Sequence, residues 1–376
     1  MGTSSRGGSG LEGVLVGRSA ISWVGGETGE LAYRGYDVRE LVPGVPYESI
    51  AHLLLFGEPP ASDPSPEVVR ALRAVPPVPE LVQRAVDGLP VDRTPLEALG
   101  AILPLLGEPG TTYPPRLEQG FRLIRRMPEL LARFVRRASG QVPVPPRDDL
   151  SHAANYLWML RGELPAPRAV NALEGYLDLL ADHGMNASTF ALRIAISTES
   201  DFFSAASAAL ATLKGAVHGG APSRVTEMLD AIGTPDRAEA WIRDRMARKE
   251  VVYGLGHRVY KTEDPRGLAL HAIARTVAHP DRLALAEAVE ETALRLLRGA
   301  HPRARLFTNV EYYSAVVMEA VGLPPSLFTP TFAVARSVGW TAQALEQAAD
   351  NRLIRPDVEY TGPPPNRRWP RPVPGR

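Results

Sequence analysis

The sequence predicts a mainly α-helical protein carrying one small β-hairpin near its N-terminus. Apolar residues recur at helical spacing: Phe121, Ile124, Leu131 and Phe134 follow one another at three, seven and three residues, and Ala286, Val289, Ala293 and Leu296 at three, four and three. Clusters of proline punctuate the helical stretches. A single β-prone stretch stands near the start, and nothing later resembles a sheet.

The first ten residues, "MGTSSRGGSG", read as a flexible lead. In "AISWVGGETGELAYRG" β-prone residues flank a Gly-Gly-Glu-Thr-Gly turn, which predicts a hairpin. From Tyr36 onward the pattern is helical, broken by "FGEPPASDPSP", "AVPPVP" and "VPVPPR". Six arginines between Arg122 and Arg137 read as a solvated helix face. The small residues of "SAASAALATLKG" let another backbone approach closely, inside a crowded core or at a subunit interface. "GPPPNRRWPRPVPGR" closes the chain as a tail without a packing period, and no fixed-period repeat is present.

The 376 residues suffice for two domains and a large core. Forty-two basic residues balance 42 acidic ones, so the chain lacks the overall positive field that attracts nucleic acid or anionic membrane. An anionic ligand must then be held by local placement. Without cysteine there are no disulfides, thiolate nucleophiles or iron–sulfur clusters. No signal peptide and no membrane span of about 18 apolar residues is readable, so the expected compartment is the cytoplasm. Lysine occurs only at positions 214, 249 and 261, which marks Lys261, inside a motif, as a chosen cation.

Three of the eight histidines adjoin a glycine: His183 in "ADHGMNAST", His218 in "KGAVHGGAPS" and His257 in "GLGHRVYKTEDPRG". A neighbouring glycine removes a Cβ and lets a ligand come near, so together they suggest a shared pocket. Their spacing matches no metal motif. Gly254-Leu255-Gly256 lacks the third glycine of a dinucleotide fingerprint, there is no Walker loop, and no GxSxG elbow exists. In "TNVEYYSAVV" a lone carboxylate, Glu311, stands in an apolar run. Thr308 to Glu311 has the S/T-x-x-E spacing of a capping box, and a helix start favours an ionised carboxylate. A cap and a catalytic base are both compatible with that position.

Taken together, "GLEGVLVGRSAISWV", "GELAYRGYDVREL", "DHGMNASTFALRIAIST", "LKGAVHGGAPSRV", "GLGHRVYKTEDPRG", "TNVEYYSAVV", "FAVARSVGWTAQALEQ" and "RLIRPDVEYTG" resemble, in order, the citrate synthase family. The likeness is strong over residues 11–58 and 148–362, and elsewhere is mainly one of helical character. It implies a multi-helical, two-domain citrate synthase-like fold: a large domain formed by 1–219 and 323–376, with a small domain at 220–322 closing over the cleft. It also implies a homodimer that condenses acetyl-CoA with oxaloacetate through an enol and hydrolyses the thioester, without metal or redox cofactor. Propionyl-CoA, as in 2-methylcitrate synthases, and a weakly active or non-catalytic paralogue that binds CoA or a dicarboxylate are the alternatives.

Carried over by motif, His218 donates a hydrogen bond to the thioester oxygen, His257 polarises the ketone, and Glu311 removes the methyl proton. His183, Arg266, Arg336 and Arg355 bind oxaloacetate, with Arg355 supplied across the dimer interface, and Lys261 lies near the CoA phosphates. Guanidinium suits a carboxylate because its fork makes two parallel bonds. The departure from the family pattern is Glu311, where Asp is usual, one methylene longer at the base.

Overall fold

The computed structural model describes residues 10, 11, 13–110, 113–215, 217–219, 221–257 and 259–365, with the backbone alone at Ala221. Among them are sixteen α-helices and one three-stranded antiparallel sheet, in the order β1 (Ser22–Gly25), β2 (Glu30–Tyr33) and β3 (Tyr36–Asp37). The hairpin expected around Gly-Gly-Glu-Thr-Gly is β1–β2, with Ser22 opposite Tyr33 and Gly25 opposite Glu30. Gly29 closes its turn at φ +70°, a left-handed conformation that favours glycine. β3 is an addition to the expected hairpin, and its two residues are too short to leave a periodic signal.

The periodic apolar runs lie on the helices Leu117–Ala138 and Pro280–Ala300. The core centres on the helix Phe328–Ala349, which is buried along most of its length and packs against the helices Leu117–Ala138, Pro167–Leu180 and Ala187–Ser197. Two glycines permit these approaches. A Cβ on Gly120 would stand 2.0 Å from Thr341 Cγ2, and one on Gly339 would stand 2.2 Å from the Ala181 carbonyl oxygen. Each fully buried large side chain, such as Trp340 or Phe134, contributes about 1.5–3 kcal/mol from lost apolar surface.

The small-residue stretch falls on the helix Phe202–Leu213, where buried Ala205, Ala206 and Ala209 permit close packing, much of it on the helix Ala187–Ser197. The arginines of the Leu117–Ala138 helix do not form a solvated face. Arg126 is buried and donates to the Val75 carbonyl at 2.8 Å, Arg122 to Leu106 at 3.2 Å, and Arg136 to Val142 at 2.7 Å. They tie the helix to its surrounding loops, because a guanidinium reaches carbonyls that the Pro-rich connections leave without backbone donors. No helix among the described residues is long and apolar enough to cross a membrane.

Candidate active site

Local sequence explains how each element delivers its side chain. Asn186 caps the helix Ala187–Ser197, accepting from Thr189 N–H at 3.1 Å, which fixes the turn after His183. Asp264 caps the helix Pro265–Val277 with proline at its first position, the start that a Pro-preset φ favours, and thereby sets Arg266 in the first turn. His218 stands in a turn three residues before the helix Ala221–Ile232 begins.

Two loops are stitched together next to one another. Gly256 N–H donates to the Phe307 carbonyl at 2.7 Å, Asn309 N–H to Gly254 at 3.0 Å, and the Asn309 amide to Gly256 at 3.1 Å. The stitching sets His257 beside the start of the helix Val310–Ala320, which carries Glu311. Its N-cap is Asn309, and the capping box suggested by Thr308 and Glu311 does not form. The Thr308 hydroxyl bonds to Glu290 instead, as does the Tyr313 hydroxyl, so one carboxylate holds both flanks of Glu311. Glu311 is left to face inward.

A cavity of about 380 Å³ gathers His183, His218, His257, Arg266, Glu311 and Arg336 along its wall. The chain thus brings together residues separated by more than 150 positions. Two sequence-selected residues are absent from that lining. Lys261 sits on the loop after His257, its N–H donating to the Gly26 carbonyl at 2.8 Å. Arg355 is 76% exposed, 3.7 Å from Asp357, and lines a different groove of about 790 Å³ between residues 14–20, residues 346–356 and the helix Ala187–Ser197.

Protonation follows from the geometry. His257 Nδ1 accepts from the N–H groups of Val259 and Tyr260, both at 2.9 Å, so a neutral ring carries its proton on Nε2. Burial, with Arg266 adding to it, pulls its pKa down to about 4. His218 Nε2 lies 3.3 Å from the Ser188 N–H and 3.0 Å from its hydroxyl. Because a backbone N–H can only donate, Nε2 accepts and the ring proton resides on Nδ1. Burial and then Arg336 bring His218 down to about 4 as well. Burial, followed by Arg266, Arg336 and His257, holds His183 well below the usual range. All three imidazoles are neutral at pH 7.

The charged groups complete the site. Arg266 is buried and forked onto Asp264 at 3.0 and 2.8 Å; burial lowers its pKa, but the Asp264 charge outweighs this and the net shift is upward. Breaking such a buried pair costs about 3–5 kcal/mol. Arg336, also buried, donates Nε to the Leu180 carbonyl at 2.7 Å, while its Nη1 has no partner among the described residues. Burial pulls the Arg336 pKa down and Asp182 opposes it. At Glu311 burial raises the pKa, and Arg266 and the residue's own backbone N–H oppose that without cancelling it. The helix start therefore works in the expected direction but loses to desolvation. An unsatisfied guanidinium donor, a basic carboxylate and three neutral imidazoles in one cavity can hold an anion, abstract a proton and stabilise an oxyanion.

The residues match a known group of proteins over nearly the whole chain. A family model described as citrate synthase, C-terminal domain, fits residues 10–357. The chain belongs to the citrate synthase family. The citrate synthase of Acidithiobacillus ferridurans is 37% identical to it, with 94% of this chain and 95% of that one covered. The 2-methylcitrate synthase of Mycobacterium tuberculosis is 35% identical over 94% of this chain and 90% of its own. In three dimensions the Thermoplasma acidophilum citrate synthase, solved as a ternary complex with carboxymethyl coenzyme A and oxaloacetate, superposes with a TM-score of 0.87 at 28% identity, covering 95% of this chain and 96% of that one.

Side chains that sequence reasoning did not single out also shape the site. Ser188 sets the His218 proton, Tyr260 touches His183 and His257, and Phe332 stacks under Arg336 at 4.7 Å. Ser188 and Tyr260 sit within five residues of a glycine-flanked histidine, a proximity that signals them; Phe332 shows only as an aromatic one helical turn before Arg336.

Proposed function

We propose that this protein condenses acetyl-CoA with oxaloacetate to give citrate and CoA. Glu311 takes a proton from the acetyl methyl group while His218, neutral with Nδ1–H available, donates to the thioester oxygen that gains charge as the enol forms. The enol carbon then attacks the oxaloacetate ketone, whose oxygen His257 polarises through Nε2–H; the alkoxide is neutralised by one proton, equal to the one Glu311 took from the methyl group, so His257 and Glu311 end neutral and ionised as they began. Water hydrolyses the resulting citryl thioester, releasing CoA. His183, Arg266 and Arg336 hold the dicarboxylate. The carrying observation is the convergence on one cavity of a carboxylate with raised pKa, two imidazoles held neutral at about 4, and a buried guanidinium with an unpartnered donor.

The reading needs no metal or redox cofactor, the CoA thioester being a substrate. It includes a small lobe at 220–322 that closes on the cleft, Lys261 near the CoA phosphates, and a homodimer in which Arg355 reaches the site of the partner subunit. The exposure of Arg355 supports that last assignment. Propionyl-CoA remains a second substrate reading, since relatives of both names stand at 37% and 35% identity and one methylene changes discrimination by only about 1–3 kcal/mol. Steady-state rates with both thioesters and oxaloacetate test the proposal. Faster turnover of acetyl-CoA supports it, faster turnover of propionyl-CoA replaces it with the second reading, and no condensation with either at substrate-level enzyme refutes both.

A further inference from the structure

The β1–β2 turn presses against the loop that carries His257. A Cβ on Gly26 would lie 2.6 Å from the Val259 carbonyl oxygen, and one on Gly29 would lie 2.7 Å from Thr262 Cγ2 and 2.9 Å from the Glu263 carbonyl oxygen. Lys261 N–H donates to the Gly26 carbonyl at 2.8 Å, locking the two backbones in register. Both glycines are thus needed for contact with the loop, and Gly29 also for its turn. Between them and the cavity stands Tyr260, buried, with its side chain directed back along the same contact.

Tyr260 reaches three groups that face the cavity. Its hydroxyl is 3.1 Å from His183 Nε2, its ring is 4.9 Å from the His257 ring, and the Arg266 guanidinium lies 5.8 Å from its centroid. The hydroxyl has one proton and two neighbours, His183 Nε2 and the Glu30 carbonyl at 3.5 Å. The latter is at the edge of hydrogen-bond distance, so the proton goes to the imidazole, whose own proton then resides on Nδ1. Burial raises the Tyr260 pKa, keeping the hydroxyl protonated and able to donate.

We infer that Tyr260 is a positioning residue for the dicarboxylate half of the site: its hydroxyl fixes the ring and proton of His183, and the β1–β2 turn seats it through Gly26 and Gly29. The inference rests on the condensation reading for its kinetic consequence, but not for the Tyr260–His183 bond itself. Tyr260→Phe removes the hydroxyl and keeps the ring under His257 and Arg266. The KM and calorimetric Kd for oxaloacetate are expected to rise about three- to tenfold, the effect of one net hydrogen bond, while the KM for acetyl-CoA stays within about twofold. Gly26→Ala, which leaves Tyr260 intact but pushes on its loop, is expected to give the same one-sided loss.

Nitrogen NMR of ligand-free protein provides a readout independent of activity: the His183 ring shifts should change on Tyr260→Phe as Nε2 loses its donor. Unchanged His183 shifts would overturn the inference whatever the enzyme does. So would an unchanged affinity for oxaloacetate, or equal losses toward both substrates accompanied by a fall in thermal midpoint, the mark of a merely structural role. If the wild type neither binds oxaloacetate nor condenses it while the shifts still respond, the condensation reading fails and the Tyr260–His183 bond stands.

Discussion

Shortening Glu311 to Asp tests whether the longer base is built into this site or merely tolerated. The substitution withdraws the carboxylate by roughly 1.3 Å, about one bond projected along the side chain. Compensation would require the helix start to slide inward, and the surroundings resist this. Asn309 is bonded to Gly254 at 3.0 Å and to Gly256 at 3.1 Å, and Thr308 and Tyr313 both hold Glu290. Behind them Gly254 is packed so tightly on Tyr312 that an added Cβ would lie 2.5 Å from its ring. With the backbone fixed, a misplacement of about 1 Å costs on the order of 10²-fold in kcat, equivalent to about 2.7 kcal/mol. Glu311→Gln, which deletes the proposed base, is expected to cost about 10²–10⁴-fold. The assay is kcat with saturating acetyl-CoA and oxaloacetate, paired with exchange of the acetyl methyl protons in deuterated water. A Glu311→Asp enzyme as fast as or faster than wild type would refute the argument that this backbone is adapted to glutamate, and exchange undiminished in Glu311→Gln would remove Glu311 from the role of base.

Two further expectations concern the dicarboxylate. Arg336→Met removes the guanidinium whose Nη1 has no partner among the described residues, and the KM for oxaloacetate should rise roughly 10- to 100-fold, the worth of a charged hydrogen bond, with a smaller change in the KM for acetyl-CoA; equal changes in both would place Arg336 outside the dicarboxylate site. The proposed homodimer and its shared Arg355 are tested by mixing the His218→Ala and Arg355→Ala variants, each expected to be inactive alone, under conditions of subunit exchange. If each site takes Arg355 from its partner, random hybrids recover about one quarter of wild-type activity, and no recovery would assign Arg355 to its own chain or to no site.

The helical core and the glycine-flanked histidines were legible for the same reason: their signal is local. A 3.6-residue apolar period or a His-Gly step carries its meaning within a few positions. The misfits arose where geometry depends on a distant partner. Thr308 and Glu311 have capping-box spacing, yet Glu290, eighteen residues before Thr308, competes for the threonine hydroxyl and wins it. The arginines of the Leu117–Ala138 helix count as a charge run in sequence, but their long stems carry the charge into loop carbonyls such as those of Val75 and Leu106. Tyr260 gives only a weak sequence signal as a site residue, its place three residues after His257, since a lone tyrosine in a loop is ordinarily a core side chain. The glycines at 26 and 29 were readable as turn formers, whereas their second duty against Val259 and Glu263 exists only in three dimensions.

On the proposed mechanism, the charge balance of the cavity gives the substrate a part in its own activation. Burial raises the pKa of Glu311, and the strongest influence opposing it is the positive charge of Arg266. A dicarboxylate held by Arg266 and Arg336 brings negative charge beside those guanidiniums and cancels their pull, so the pKa of Glu311 climbs further. A carboxylate with a higher pKa is the stronger base as long as the solution stays above that pKa. The base acts only when ionised, so the rate falls as pH drops through the pKa of Glu311, and this acid limb must lie at higher pH with the dicarboxylate bound than without it. Without ligand His218 and His257 are held at about 4, chiefly by burial and secondly by Arg336 and Arg266, so the same dicarboxylate also moves them upward, while the burial that dominates their shift remains. Methyl exchange from acetyl-CoA, followed by NMR in deuterated water, should therefore quicken near neutral pH when an inert dicarboxylate is added, with its acid limb displaced upward by the same ligand. Exchange that ignores the dicarboxylate at every pH would mean that the charge on Arg266 does not govern the basicity of Glu311.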